Sequence, residues 1–329
     1  MTAAIKVWQT IKLWFDSESD TRVLASGENS RKLNWVRCVP FFLVHLACLA
    51  VLWVGWSPVA VAVCIALYFI RMFAITAFYH RYFSHRSFKT NRFWQFCFAV
   101  LGNSATQRGP LWWAAHHRKH HKHSDEDEDL HSPMQHGFWW SHLGWFTCDA
   151  AFKTDYSIVK EWTKFPELMF LNRYDILVPI VLGVSLFGLG EALAFWLPAS
   201  GTSGAQMFVW GFCISTVLLF HGTFTINSLC HTWGKRRFKT KDDSRNNFWL
   251  ALVTLGEGWH NNHHRFAVSA KQGFYWWEID ISYYLLKVMS WLGIVWDLNP
   301  VPQRILDEGR GQRVPTLAQQ LAHKTKGGV

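Results

Sequence analysis

The sequence predicts an all-α integral membrane protein: four transmembrane helices in two hairpins, with a helical cap on the cytosolic side. Three observations predict it. First, apolar runs at 39–56, 60–79, 176–197 and 206–230 approach the length of a membrane span. About 20 residues are needed, because about 30 Å of hydrocarbon is crossed at 1.5 Å per residue. Second, no Lys or Arg lies between Arg37 and Arg71, or between Arg173 and Lys235. Both hairpin tips therefore lack positive charge, and the positive-inside rule puts both termini and the two long charged segments in the cytoplasm. Third, 21 tryptophans among 329 residues suit the aromatic belts of a membrane protein.

In chain order, residues 1–37 form a cytosolic segment with no apolar signal-peptide core before its first acids. Ile5, Trp8, Ile11, Leu13 and Phe15 alternate with Lys6 and Lys12, the pattern of an amphipathic helix that lies on a membrane or docks on the protein. Residues 38–300 are expected to be one domain. The first hairpin turns at "WSPV", where Pro58 suits the first turn of a helix. His45, inside the first span, is expected to be a hydrogen-bonded structural histidine. The first half of the cap is 80–174. Within it, 93–105 is apolar but too short to span, which suits a re-entrant or interfacial helix. The second hairpin is joined by "PASGTSGA", with Glu191 near water at its outer end. The second half of the cap is 231–300, where 276–296 mixes aromatic and charged residues and should follow the membrane surface. Residues 301–329 are expected to form a cytosolic tail.

Seven scattered cysteines without a C-x-x-C pair argue against a disulfide framework or a zinc ribbon. The formal net charge of +10 suits anionic partners such as lipid head groups or phosphorylated carriers. No nucleic-acid partner is expected.

Seventeen histidines carry the chemistry, and four groups stand out. "HRYFSH" places His80 and His85 just past the second span. "HHRKHH" holds His117, His120 and His121, with His116 beside them. "NSLCH" puts Asn227 and His231 at the cytoplasmic end of the fourth span. "HNNHH" holds His260, His263 and His264. In H-x-x-H-H the side chains at i, i+3 and i+4 share one helix face. His80 and His85 are five apart, about 140° around an ideal helix, so the second helix must loosen near Tyr82 to Ser84 for them to converge.

A pH-sensitive surface cluster would not explain why each group abuts a span or repeats one spacing. Neutral imidazoles suit zinc, copper, iron and nickel. A catalytic zinc wants three protein ligands, and the Glu-x-x-His pattern of soluble di-iron bundles is absent. Two ions with four or five histidines each fit better. Two irons are the leading choice, since their redox range allows O2 to be activated.

On "HRYFSH", "HRKHH", "EGWHNNHH" and "NSLCH", the chain resembles the integral-membrane fatty acyl desaturases, specifically the stearoyl-CoA desaturase-like family, over about residues 70–280. The resemblance implies a cap holding a di-iron centre. His80, His85, His117, His120, His121, His231, His260, His263 and His264 would be its ligands, with Asn227 approaching one iron through a water. It implies a narrow bent tunnel for the acyl chain, near which Gln107, Trp113 and Thr223 match. The family's Arg-Asp pair before the H-x-x-H-H box is Ala115 and His116 here, an Asn-Asp pair is Arg108 and Gly109, and a tryptophan after Thr223 is Phe224. The acyl carrier therefore stays open among coenzyme A, the leading choice, acyl carrier protein and phospholipid, with His116 a candidate contact. No His-Pro-Gly-Gly haem motif occurs, so neither haem nor flavin is expected to be bound. Electrons would come from a separate protein: a ferredoxin, a cytochrome b5-like protein or a flavin reductase.

The implied reaction is O2-dependent insertion of a cis double bond, by default at Δ9, into a saturated acyl chain. The runner-up is a histidine-box membrane hydroxylase of a lipid or hydrocarbon. A metal transporter would place ligands at mid-span, and these lie at cytosolic ends. Ligand histidines need partners for their second nitrogen. Asp149, Glu257 and the run "DEDED" (125–129) are candidates, although solvated loop charge is the favoured reading of that run. His142 is expected to pack near the site rather than bind metal.

Overall fold

The computed structural model describes residues 3–20 and 31–312. The end of the expected tail, 313–329, lies outside the described residues.

Four helices are long and apolar enough to span: α2 (Trp35–Val54), α3 (Pro58–Ser84), α7 (Leu177–Trp196) and α8 (Gly204–Thr232). The described residues form no strands, only isolated bridges. The remaining helices used below are α1 (Ala3–Phe15), α4 (Arg92–Asn103), α5 (Pro110–His123), α6 (Pro166–Arg173), α9 (Phe248–Val253), α10 (His260–Arg265), α11 (Ile281–Trp291) and α12 (Gln303–Gly309).

Local sequence explains where the hairpins start. Ser57 accepts a hydrogen bond from the Ala60 N–H at 3.1 Å, and Pro58 occupies the first turn of α3. Ser203 and Gln206 form a reciprocal capping box at the start of α8. The hydroxyls of Ser57 and Thr202 meet at 2.9 Å, so the two hairpin tips are bonded to each other. Of the four spanning helices α8 is the most enclosed and α2 the least. His45 Nδ1 donates within its own turn, to the Phe41 carbonyl at 2.8 Å.

The cap hangs from the ends of these helices opposite the hairpin tips. α3 does loosen, but earlier than the sequence suggests: its turns widen into π-helix from Ala74 onward. A π-turn bonds i to i+5, and the His85 N–H indeed reaches the His80 carbonyl at 3.2 Å. Residues five apart thereby come onto one side. Arg118, at the centre of "HHRKHH", then ties α5 to that helix end. It donates to the carbonyls of Ser84 at 2.7 Å and Phe83 at 2.8 Å, which have no helical partner left.

α5 is capped from a distance, since the Asn172 amide oxygen on α6 accepts from the N–H groups of Leu111 and Trp112. Gly109 makes this approach possible: a Cβ there would lie 2.4 Å from Asn172 Cα. α4 buries Gln95, Phe98, Ala99, Gly102 and Asn103 and leaves Phe93, Phe96 and Leu101 exposed. α11 likewise turns Tyr284, Leu285, Val288 and Trp291 outward. Both are one-sided apolar helices too short to span.

Candidate metal centre

The nine histidines come together, in two sets. His80, His85, His117, His121 and His263 present ring nitrogens within 4.8 Å of one another, and so do His120, His231, His260 and His264. α5 supplies both sets: His117 and His121 go to the first, and His120 goes to the second. α10 divides in the same way, with His263 in one and His260 and His264 in the other.

Carboxylates orient four of these rings through Nδ1. His80 meets Glu257 at 2.5 Å, His120 meets Asp129 at 2.9 Å, His231 meets Asp125 at 2.9 Å, and His264 meets Asp242 at 2.7 Å. When Nδ1–H donates to a carboxylate, Nε2 carries the lone pair. Those lone pairs point inward. His80 Nε2 lies 3.0 Å from His263 Nε2, and His231 Nε2 lies 3.0 Å from His260 Nε2. His85 and His117 face each other at 2.8 Å, and His121 meets His263 at 2.9 Å. Nε2 of His264 is buried without a hydrogen-bond partner.

Such facing lone pairs repel unless a cation lies between them. Protons are poor candidates. Burial, and then the like charge of neighbouring imidazoles, holds His85, His117, His121, His260 and His263 well below the usual histidine range. Burial also pushes His120 down to about 4, against the pull of Asp129. The donor set fits metal ions that accept neutral imidazole.

The carboxylates are themselves locked in place. Burial alone would raise Asp129, but His120 and His131 hold it well below the carboxylate range. Glu257 also pairs with the buried Arg81 at 3.1 Å, and Arg81 reaches Asp280 at 2.9 Å. Gly256 permits this crowding, with φ +123 and a Cβ position only 2.4 Å from Asp280 Oδ1. The asparagines of "HNNHH" close the loop around α10. Asn261 accepts from the N–H groups of Arg237 and Phe238, and Asn262 donates to Glu278 at 2.8 Å.

The acid run needs a correction. Glu126, Asp127 and Glu128 are exposed as expected, but Asp129 is buried and Asp125 half-buried, both facing histidines. Asp149 serves elsewhere, accepting from Asn34 at 2.8 Å. His142 stays out of both sets and bonds Ser228 and His221. Sequence reasoning missed Asp242 and also His131, whose Nδ1 donates to Asp129 at 2.8 Å. In Asp129 and His131, two residues apart, a local D-x-H signal was available.

An apolar cavity of about 470 Å³ borders this centre at His117, within the size range of ligand sites. Gln107, Trp113, His116, His117, His131, Thr223 and Asn227 line its inner part. Gln107 donates to Thr223 at 2.9 Å. It is aimed by neighbours in left-handed backbone, Thr106 at φ 61 and Arg108 at φ 69, a strain typical of functional loops. Trp113 stacks on His117 at 4.9 Å between centroids. His116 turns away from the histidine sets, and its Nε2 donates to the Lys153 carbonyl at 3.1 Å. From there the cavity runs along α8 past Phe220 to Phe212 and Phe208, with Phe41 of α2 and Gly183 of α7 on its sides. From Asn227 to Phe208 along a helix is about 28 Å at 1.5 Å per residue.

A family model described as fatty acid desaturase matches residues 55–288. The chain belongs to the fatty acid desaturase family. Its similar relatives include an acyl-CoA C20 Delta5-desaturase from Anemone leveillei, 37% identical over 84% of this chain and 88% of that one. An sn-1 stearoyl-lipid 9-desaturase from Anabaena variabilis is 36% identical over 80% of this chain and 93% of the relative. Delta-9 acyl-lipid desaturase 1 from Arabidopsis thaliana is 37% identical over 82% of this chain and 84% of the relative. This desaturase is thus an oxidoreductase. All nine clustered histidines lie inside the matched region.

Proposed function

We propose that this desaturase uses O2 to insert a cis double bond at Δ9 of a saturated acyl chain, carried by coenzyme A or esterified in a membrane lipid. The observation that carries the reading is the position of the cavity. An apolar channel long enough for an acyl chain is lined by His117 and Asn227, beside nine inward-facing imidazoles. Relatives named for Δ9 acyl-lipid activity support the position of the double bond.

In this reading His80, His85, His117, His121 and His263 hold one iron, and His120, His231, His260 and His264 hold the other. Asn227 approaches through a water. Iron so held supplies O2 reduction and the removal of two vicinal hydrogens. The chain's own residues do the rest. Glu257, Asp129, Asp125 and Asp242 fix the imidazole tautomers and raise their basicity. The phenylalanines along α8 exclude water and hold methylenes. Gln107, Thr223 and Trp113 shape the channel beside the histidines, and His116 lines it near the carrier. The distribution of Lys and Arg supports a centre and termini on the cytoplasmic side. Two electrons come from a separate carrier protein.

Expression in a host lacking Δ9 activity, followed by mass spectrometry of derivatised fatty acids, tests the proposal. The expected product is a Δ9 cis-monoene, and analysis of intact lipids and acyl-CoA pools identifies the carrier. A hydroxylated product without a new double bond would replace this reading with the hydroxylase.

A further inference from the structure

The nine histidines are approached from two sides. The apolar cavity reaches them at His117. A second, open pocket of about 290 Å³ reaches them at His121 and His264. Its walls are polar: Lys239, Lys241, Asp242, Arg265 and Glu308. It has no apolar lining to hold an acyl chain, and it opens to the surface formed by "KRRFKTK" (235–241) and the end of α5.

That surface carries outward positive charge. Lys122, Lys235, Arg236, Lys239 and Lys241 are exposed, whereas Asp242 and Glu278 are buried. Asp127 and Glu128 stay exposed just past the end of α5, and the other acids around the pocket are already engaged. Asp242 accepts from His264, Glu278 from Arg237, Glu308 from Arg265, Asp243 from Arg236, and Glu126 from Lys241. No carboxylate pairs with Lys122 or Lys239 among the described residues. Lys239 and Lys241 line one pocket, and the Lys122 carbonyl accepts from Lys241 Nζ at 2.6 Å, which brings Lys122 to the same rim.

The reaction requires something from this side. Forming the double bond removes two hydrogen atoms from the chain, that is two protons and two electrons, while O2 becoming two waters takes four electrons and four protons. Two electrons and two protons must therefore enter from outside in each turnover. The substrate would occupy the apolar cavity, and the polar pocket offers a separate route to the ligands, at His121 and His264. The geometry points to the Lys122–Lys239–Lys241 rim as the docking surface for an acidic one-electron carrier protein, which delivers electrons to the centre through His264 and His121. Complementary charge of this kind steers encounter and sets register. The inference rests on the desaturase reading above.

The test uses the full chain in lipid nanodiscs, reduced plant-type ferredoxin as the acidic probe, and the double variant Lys122→Glu/Lys239→Glu. Ferredoxin affinity should fall at least about tenfold in the variant, and wild-type binding should weaken steeply with salt. KM for ferredoxin should rise with kcat little changed. Bound iron, and turnover driven by the small reductant dithionite, should match wild type. No measurable binding to the wild type, or equal affinity and salt dependence in the variant, would overturn the inference. So would displacement of ferredoxin by free coenzyme A, which would make the pocket a head-group site. Absence of any desaturated product from wild type with dithionite would defeat the desaturase reading instead, because the binding comparison does not depend on it.

Discussion

The Nδ1–H of His120 donates to Asp129 Oδ2 at 2.9 Å, and both groups are buried. Asp129 accepts a second bond from His131 through its other oxygen, so its position is fixed from two sides. Converting it to the amide keeps the shape but lets a donor face His120, which then favours the wrong tautomer. We expect Asp129→Asn to weaken iron binding or activity about 10- to 100-fold, the usual cost of losing such a partner. Competition with a chelator, read by iron content, checks it; affinity equal to wild type would remove Asp129 from the site.

The division of the histidines into two sets predicts separable losses. His85→Ala touches only the set on α3, and His120→Ala only the set that includes α8. Each variant should retain close to half of the iron and lose desaturation altogether. Metal analysis of the purified proteins decides: complete loss of iron in both would mean that the sets do not bind independently.

Much of this site was legible because its spacing is local. H-x-x-H-H on α5 places three imidazoles on one face whatever the rest of the chain does. The spans follow from apolar length, and the five-residue gap in "HRYFSH" required a loosened helix, which the π-turns supply. Glu257 was named as a candidate partner and does meet His80, but the aspartates were not legible, for the opposite reason. Asp125 lies 106 residues from His231, and Asp242 lies 22 from His264, so only tertiary packing pairs them. Five consecutive acids also look uniformly solvated by composition. Only the fold turns the first and last inward while the middle three stay in water. His131 was passed over because it stands outside the repeated boxes, although it borders the cavity.

Arg81 is fully buried between Glu257 and Asp280 and donates to the Ala270 carbonyl at 2.8 Å. Replacing it with Leu leaves two carboxylates without their cation. Breaking a buried pair in this way costs about 3–5 kcal/mol. Arg81→Leu should therefore lower the unfolding temperature and the yield of folded protein before any effect on chemistry is read. A melting curve matching wild type would show that Glu257 and Asp280 find other partners.

The metal-free protein should lose stability on mild acidification. His117, His121, His260 and His263 are held well below their ordinary value by burial and by one another, so the folded state resists their protonation. Unfolded, they take up protons near about pH 6.5. The unfolded state then binds more protons, and stability falls as pH drops through that value. Asp125, Asp129 and Asp242 are depressed below the carboxylate range, so their contribution stays intact until well into the acid region. The histidines therefore dominate between about pH 7.5 and about pH 5. Thermal unfolding of chelator-treated protein should show a steady decline over this window, with iron released from loaded protein across the same range. A flat profile would contradict the burial of neutral histidines.

Gly183 on α7 borders the cavity where it runs between α7 and α8, and a Cβ there would already lie 3.1 Å from the Phe208 ring. A leucine adds volume to a wall that has none to give, and the surrounding rings can move only a little because interiors are close-packed. The helix itself is not threatened, since leucine is a better helix former than glycine. The space is instead taken from the substrate. The longest acyl chain needs the most of the cavity, so it should be excluded first. We expect Gly183→Leu to lower conversion of the longest saturated chains by about tenfold or more, equivalent to about 1.4 kcal/mol of lost binding, while shorter chains are converted near the wild-type rate. Competition between saturated substrates of graded length, read as the ratio of their monoenes, measures this directly. A uniform fall across all lengths would place Gly183 outside the acyl-binding stretch and assign that part of the cavity to another ligand.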